Sequence, residues 1–304
     1  MTQRSLSPRS WLDLLLLALV WGGVFLAVRL ALREVGPLQI VAMRVAVAAL
    51  VLWGIVLASK LPVPRRRDTW GAFAVMGLLN NVIPFWLITW GQQHIDTGLA
   101  SILNASSAVW GVGIAALVFE DERLTLRKVI GVLLGLAGVA TAVGLGSLAS
   151  FDPTSLAQLA ILGATMSYGI ASAWGRATLP GLPPLVAAAG MLTCSAVIAV
   201  PLALLTEGLP PMPGVLTWGA LAYASVVATA GAYLLYYRIL AAAGSGHTLL
   251  VTLMVSPIAI LIGALALGET LRPEAYVGFT LLAAGLIVID GRLLARLVPR
   301  RKGL

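Results

Sequence analysis

Charged side chains are scarce in this sequence: Asp, Glu, Lys and Arg make up 11% of its 304 residues, and hydrophobic residues make up 60%. The surface of a water-soluble globular protein carries far more charge than this. Together with a mean hydropathy of +0.98, the composition excludes that class and indicates an integral membrane protein. The net charge is +8, but Lys and Arg fall in short breaks between apolar runs, so we expect no nucleic-acid binding.

Cysteine and histidine are nearly absent as well. The single Cys194 cannot form an internal disulfide, and His94 and His247 are far apart in the chain. The sequence also lacks a metal-ligand cluster, a glycine-rich phosphate loop after a strand, and a nucleophile with a recognisable base. We therefore predict that the protein is not an enzyme and uses no cofactor or metal.

Apolar runs of membrane-spanning length, separated by proline, glycine and charged residues, fill most of the chain. They predict an all-α membrane protein with ten transmembrane helices. The predicted helices cover residues 11–31, 37–58, 69–91, 97–118, 126–146, 155–177, 184–206, 214–238, 246–267 and 274–295. Lys and Arg concentrate in alternate breaks, which predicts that both termini are cytoplasmic.

The two halves of the sequence repeat each other. The shift that places Pro37 on Pro184 is 147 residues long. The same shift superposes Arg29 on Arg176, Trp21 on Tyr168, Gly131 on Gly278 and Gly138 on Gly285. We expect repeats at 1–150 and 151–304, each with five helices. Because five is odd, the second repeat would enter the membrane inverted, an arrangement typical of secondary transporters with a central substrate site.

Each half ends with a glutamate-containing turn before a glycine-rich helix, "EDERLTLRKVIGVLLGLAGV" and "GETLRPEAYVGFTLLAAGL". In these features the chain resembles the EamA family of the drug/metabolite transporter superfamily, and within it the YddG-like amino acid exporters. The resemblance implies a multi-pass protein of the bacterial inner membrane that works by alternating access. It also implies that helices three, four, eight and nine, with one and six, enclose a central cavity, and that helices five and ten are peripheral.

Aromatic residues on those helices are the first site candidates. Trp86 and Trp90 lie four residues apart on one helix face, and the repeat shift maps them to Tyr233 and Tyr237. Trp21, its repeat partner Tyr168, Trp86 and Trp110 lie too deep for an interfacial belt. Helix packing is the alternative for these deep residues, and a belt position is the alternative for Trp90.

Polar residues within the predicted spans are the second set of candidates. Asn80 and Asn81 must face protein or water, because an unpaired amide in hydrocarbon costs several kcal/mol. Asn104 and Ser107 belong to a small, polar stripe on the fourth predicted helix, for which helix packing is the alternative.

Arg44 is the clearest charge within a span. It either extends toward Glu34 and the outer carbonyls or contacts a substrate carboxylate.

These patterns predict a transporter that exports amino acids, including aromatic ones, and related small metabolites. The predicted substrate-binding residues are Trp21, Asn80, Trp86, Trp90, Asn104, Ser107, Trp110, Tyr168, Tyr233 and Tyr237. The expected partners are a small-molecule substrate and the lipid bilayer, with a monomer as one possible oligomeric state. A nucleotide-sugar, purine or drug carrier is the alternative within transport, and a membrane scaffold is the alternative outside it. Because no acidic residue lies mid-membrane, the coupling is open and a facilitator is one reading.

Overall fold

The computed structural model describes residues 7–210, 212–267 and 273–290. Within these residues the chain is helical and contains no β-strand. The glutamate turn around Glu269 and Leu271 and the end of the last predicted helix lie outside the described residues.

The helices follow one another with short connections. They are α1 (Pro8–Ala31), α2 (Pro37–Ala58), α3 (Arg67–Gly91), α4 (Gly98–Val118), α5 (Leu126–Val143), α6 (Leu156–Thr178), α7 (Pro184–Thr206), α8 (Val215–Ala243), α9 (Ser245–Thr248 and Val251–Leu267) and α10 (Pro273–Asp290). In the part of the chain that the structure describes, nine of them are long and apolar enough to cross a membrane, and Ser245–Leu261 within α9 is shorter. The protein is therefore a multi-pass membrane protein.

Several helices begin where the local sequence supplies a start signal. Ser7 caps α1, because its Oγ accepts the backbone N–H of Ser10 at 3.0 Å. Proline stands at the first helical position of α2, α7 and α10, where its missing N–H has no helical partner to lose. Helix α8 continues to Ala243, beyond the predicted end at 238. The charge of Arg238 does not end the helix, because this side chain pairs with Asp13 at 2.8 Å.

Two helices contain π-helical segments, in which each turn holds one extra residue. In α3 the segment is Leu78–Val82. It ends two residues before Pro84, which lacks the N–H that a regular α-helix needs at that position. In α8 the segment is Tyr223–Gly231. The two segments occupy corresponding positions under the repeat shift.

Helices α5 and α10 cross with their backbones in contact. A Cβ added at Gly138 would lie 2.7 Å from the carbonyl oxygen of Gly278, and one added at Gly131 would lie 2.8 Å from the carbonyl oxygen of Gly285. The earlier residue of α5, Gly131, meets the later residue of α10, Gly285, and the later residue Gly138 meets the earlier residue Gly278. The two helices are therefore antiparallel. This pair lies at the periphery, away from the cavity described next.

Candidate functional site

A cavity of about 80 Å³ lies among the helices, large enough for several water molecules. Its lining comes from α1, α2, α3, α4, α6, α8 and α9 and from the residue that follows α3. The lining residues are Trp21, Val24, Phe25, Val28, Arg44, Asn80, Phe85, Ile88, Thr89, Gln92, Asn104, Tyr168, Tyr233, Tyr236, Leu249, Thr252 and Val255. We call this space the central cavity. Its described wall is largely apolar and aromatic, with a few amide and hydroxyl groups and one cation.

Arg44 supplies that cation. Its side chain is 7% exposed, its Nε donates a hydrogen bond to Thr229 Oγ1 at 2.6 Å, and its guanidinium carbon lies 3.8 Å from the ring centroid of Phe85. Thr229 belongs to the π-helical segment of α8, and its hydroxyl donates to the carbonyl of Ala224, so its oxygen is free to accept from Arg44. The π segment thus helps to hold the guanidinium at the cavity wall.

The structure does not pair Arg44 with Glu34, one of the two readings open from the sequence. Glu34 instead accepts hydrogen bonds from the backbone N–H of Gly214 and the hydroxyl of Thr217, both at 2.7 Å. These hydrogen bonds lower the pKa of the Glu34 carboxyl, and the bond from Thr217 contributes more than the bond from Gly214. Among the described residues, no carboxylate forms an ion pair with Arg44. Within the part of the chain that the structure describes, this positive charge in the wall of a mostly apolar cavity has no counter-charge.

Asn80 and Asn81 are both buried, as the sequence predicts, but only Asn80 lines the cavity. Asn80 Nδ2 donates to Tyr233 Oη at 3.2 Å, and Tyr233 in turn donates to Asn81 Oδ1. Asn81 Nδ2 donates to Ser195 Oγ at 2.9 Å, on α7. The amide pair therefore serves two purposes: Asn80 faces the cavity, and Asn81 ties α3 to α7.

The central cavity brings together five of the ten predicted site residues, namely Trp21, Asn80, Asn104, Tyr168 and Tyr233. The indole of Trp21 is held in place by a 3.0 Å hydrogen bond from its Nε1 to the carbonyl of Ala228, in the π segment of α8.

The other five predicted residues lie outside the cavity lining. Trp86 and Trp110 are 40% and 38% exposed. The ring of Trp90 packs against the ring of His94, with 4.5 Å between their centroids and a tilt of 44°. Ser107 donates to the carbonyl of Asn104, and Tyr237 donates to the sulfur of Met191. A role of these five in substrate binding stays a prediction.

Sequence reasoning missed six polar or aromatic residues of the lining, namely Phe25, Phe85, Thr89, Gln92, Tyr236 and Thr252. Tyr236 takes the inward position that the repeat shift had assigned to Tyr237. The signal for it is the spacing of Tyr233 and Tyr236, which are three residues apart and hence share a helix face. Gln92 directly follows α3, outside the predicted span 69–91. Phe85 lies under Arg44, and nothing in its local sequence distinguishes it from other apolar residues.

A second, more polar cavity of about 470 Å³ lies near the end of α3 and the start of α6. It is lined by Arg29, Gln92, Gln93, His94, Ile95, Asp96, Leu99, Ser150, Asp152, Ser155 and Gln158. We call it the vestibule. Gln92 lines both cavities, so this side chain stands where the two spaces meet.

The opposite end of α6 is tied to its neighbours by buried charges. Arg176 pairs with Glu122 and, at 2.6 Å, with Asp121 in the turn after α4. Glu122 also accepts the backbone N–H groups of Ser245 and Gly246, at 2.9 and 2.8 Å, and so caps the start of α9. Side-chain contacts therefore hold this end together, whereas the vestibule is open to solvent at the other.

Known proteins resemble the chain over most of its length. A probable terminal-alkyne amino-acid exporter of Streptantibioticus cattleyicolor is 28% identical, with 96% of each chain covered. An uncharacterized transporter, YoaV, of Bacillus subtilis is 20% identical over 91% of this chain and 95% of its own. An uncharacterized inner membrane transporter, YedA, of Escherichia coli is 25% identical over 90% of this chain and 86% of its own.

A solved crystal structure has the same fold, with a TM-score of 0.79 at 20% identity, and covers 96% of this chain and 99% of that chain. The EamA-like transporter family matches twice, at residues 10–144 and 155–290. Because these two matches account for most of the sequence, the protein belongs to the EamA-like transporter family.

Proposed function

We propose that the protein exports amino acids, including aromatic ones, and related small metabolites from the cytoplasm by alternating access. The observation that carries this proposal is Arg44, a buried cation without a described counter-charge in an otherwise aromatic and amide-lined cavity. A charge inside a membrane protein costs about 2.5–3.5 kcal/mol on insertion scales, and such residues mark substrate pathways. A substrate carboxylate would supply the missing charge.

The rest of the lining fits the remainder of an amino acid. The rings of Trp21, Tyr168 and Tyr236 offer faces for an aromatic side chain or an ammonium group, at about 0.5–2 kcal/mol for each contact. A few such contacts reach the roughly −4 kcal/mol of a millimolar site. Weak binding suits an exporter, which must also release its cargo. The similarity to the probable terminal-alkyne amino-acid exporter of Streptantibioticus cattleyicolor supports the same substrate class.

The lining of the central cavity is less suited to binding a nucleotide-sugar or another phosphorylated cargo. The described lining contains one cation, Arg44, against the several charges of a pyrophosphate.

The proposed architecture is ten spans in two inverted five-helix repeats, 1–150 and 151–304, with both termini in the cytoplasm. Three observations support it. The family matches each half once. The π segments of α3 and α8 correspond under the repeat shift. Gly131 contacts Gly285, and Gly138 contacts Gly278. The repeat shift maps Gly131 to Gly278 and Gly138 to Gly285, so it turns one contact into the other, as a two-fold axis between the repeats requires. In this orientation the vestibule faces the outside of a bacterial inner membrane.

The test is transport by purified protein in liposomes, with an aromatic amino acid and its carboxamide analogue as cargo. We expect the wild type to prefer the carboxylate, and Arg44→Gln to lose about 10–100-fold in kcat/KM for it, since hydrogen bonds to charged groups contribute about 1.5–3 kcal/mol. Because Arg44→Gln removes an uncompensated buried charge, its melting temperature should equal or exceed that of the wild type. Equal transport of carboxylate by wild type and variant would overturn the role of Arg44, and no amino acid transport by the wild type would overturn the function.

A further inference from the structure

We propose that Gln92 is a specificity-determining residue, whose amide oxygen receives the ammonium group of the cargo where the central cavity meets the vestibule. This inference rests on the proposed function and refines it, because it selects amino acids with a free amine over other carboxylates.

The first support is an unsatisfied atom. Gln92 is 7% exposed, and its Oε1 has no hydrogen-bond partner within the described residues. Its Nε2 reaches only the carbonyl of Phe25, at 3.5 Å, the long limit of a hydrogen bond. Leaving a buried amide oxygen unpaired costs about 1–3 kcal/mol, so a group retained in this state calls for a ligand.

Two other buried glutamines in the same protein show what a structural role looks like. Gln39 Oε1 accepts the backbone N–H of Gly36, and its Nε2 donates to two carbonyls. Gln158 Oε1 accepts the backbone N–H of Asp152, and its Nε2 donates to the carbonyl of Ser150. Both side chains bridge backbone segments with both ends of the amide. Gln92 does not, although it is buried to a similar degree.

The second support is position. Gln92 is shared by the walls of the central cavity and the vestibule, so cargo that moves between the two spaces passes this side chain. Its single long hydrogen bond leaves the amide free to turn toward either space.

The third support is chemical complementarity. The described lining of the central cavity contains no carboxylate, so a cargo ammonium must be met by amide oxygens, hydroxyls or ring faces. Gln92 Oε1 is such an amide oxygen, and within the described residues it and Tyr236 Oη are the buried polar side-chain atoms of this lining without a hydrogen-bond partner. With Arg44 at the carboxylate, the cavity then recognises both charged ends of a zwitterion. An N-acylated or deaminated analogue would leave the Gln92 oxygen unpaired.

The experiment compares three cargoes in liposomes containing the full-length protein: an aromatic amino acid, its N-acetyl derivative and its deaminated acid. We expect the wild type to prefer the free amine. Gln92→Leu keeps the approximate size of the side chain and removes its acceptor oxygen. We therefore expect KM for the amino acid to rise about tenfold. The preference for the amino acid over the deaminated acid should shrink by the same factor. Gln92→Met, a second variant of similar volume, should behave alike.

Gln93→Leu is the matched control, because Gln93 is exposed and lines only the vestibule. It should keep the wild-type preference. If Gln92→Leu and Gln92→Met transport amino acids with the wild-type ratio between the three cargoes, the assignment of Gln92 is overturned and the proposed function stands. If the wild type transports none of the amino acids, both are overturned.

Discussion

At the scale of single residues, Tyr233 joins three helices through one hydroxyl. It donates to Asn81 Oδ1, accepts from Asn80 Nδ2 at 3.2 Å, and reaches α7 through the bond from Asn81 to Ser195. These polar groups lie in a low-dielectric interior, where each depends on its neighbour for a partner. The network thus fixes the position of Asn80 at the cavity wall.

We predict that Tyr233→Phe lowers the unfolding free energy by about 1–3 kcal/mol, because it leaves the buried Asn81 Oδ1 without its donor. Thermal unfolding in detergent measures the effect. Tyr276→Phe is the control, since Tyr276 is 59% exposed on α10. Equal melting temperatures for the two variants would contradict the proposed importance of this hydroxyl.

At the scale of elements, glycine sets the distance between α5 and α10. A Cβ at Gly138 would lie 2.6 Å from the backbone nitrogen of Leu282, and one at Gly278 would lie 2.4 Å from that of Ala142. Such separations are shorter than any real Cβ contact, and the obstacle is backbone, which cannot rotate away. Close glycine crossings of this kind replace the hydrophobic effect as the source of helix association in lipid.

Gly138→Val should therefore force α5 and α10 apart. We expect a loss of about 1–3 kcal/mol, as for overpacking in a close-packed core, visible as a lower melting temperature and a smaller folded yield. Gly54→Val on α2 is the matched control, because a Cβ at Gly54 meets nothing within 4 Å. A variant at Gly138 as stable as the one at Gly54 would show that the crossing tolerates side chains.

At the scale of the whole molecule, carboxylates of one sequence half cap helices of the other at both ends of the bundle. Glu122 accepts the N–H groups that begin α9, and Glu207 accepts those of Leu38 and Gln39, at 3.0 and 2.9 Å, at the start of α2. Each carboxylate meets the positive end of a helix dipole. The alternating access that we propose would require such contacts to open at one end while those at the other end stay closed.

We predict that Glu122→Gln weakens the closed end. Removing one charge of a buried pair costs about 3–5 kcal/mol, and the cap of α9 weakens with it. The measurement uses a Cys194→Ala, Leu249→Cys background, which places one cysteine in the central cavity. With Glu122→Gln added, this cysteine should react faster than without it when a water-soluble thiol reagent is applied from the side on which Arg176 lies. Glu120→Gln, two residues earlier and exposed, should leave that rate unchanged. A rate unaffected by Glu122→Gln would argue that this end opens elsewhere.

Much of the overall architecture could be read from the sequence, because long apolar runs in a chain with 11% charge have few alternatives to membrane helices. Helix starts at proline and the close packing of repeated glycines follow from local chemistry in the same way. The burial of Asn80 and Asn81 was predictable, since an amide cannot remain unpaired in hydrocarbon.

Which side chains meet in the cavity was decided only by tertiary structure. Tyr236 rather than Tyr237 lines the cavity, and Trp86, the repeat partner of the lining residue Tyr233, is 40% exposed outside it. Within the described residues, Arg44 has no carboxylate partner and Gln92 Oε1 has no hydrogen-bond donor, and both facts depend on the folded surroundings of these side chains. Long apolar runs and a repeated sequence are enough to predict a polytopic transporter. Only the packing of helices that are distant in the sequence places Arg44 and Gln92 on the wall of the same small cavity, because its lining is drawn from both halves of the chain.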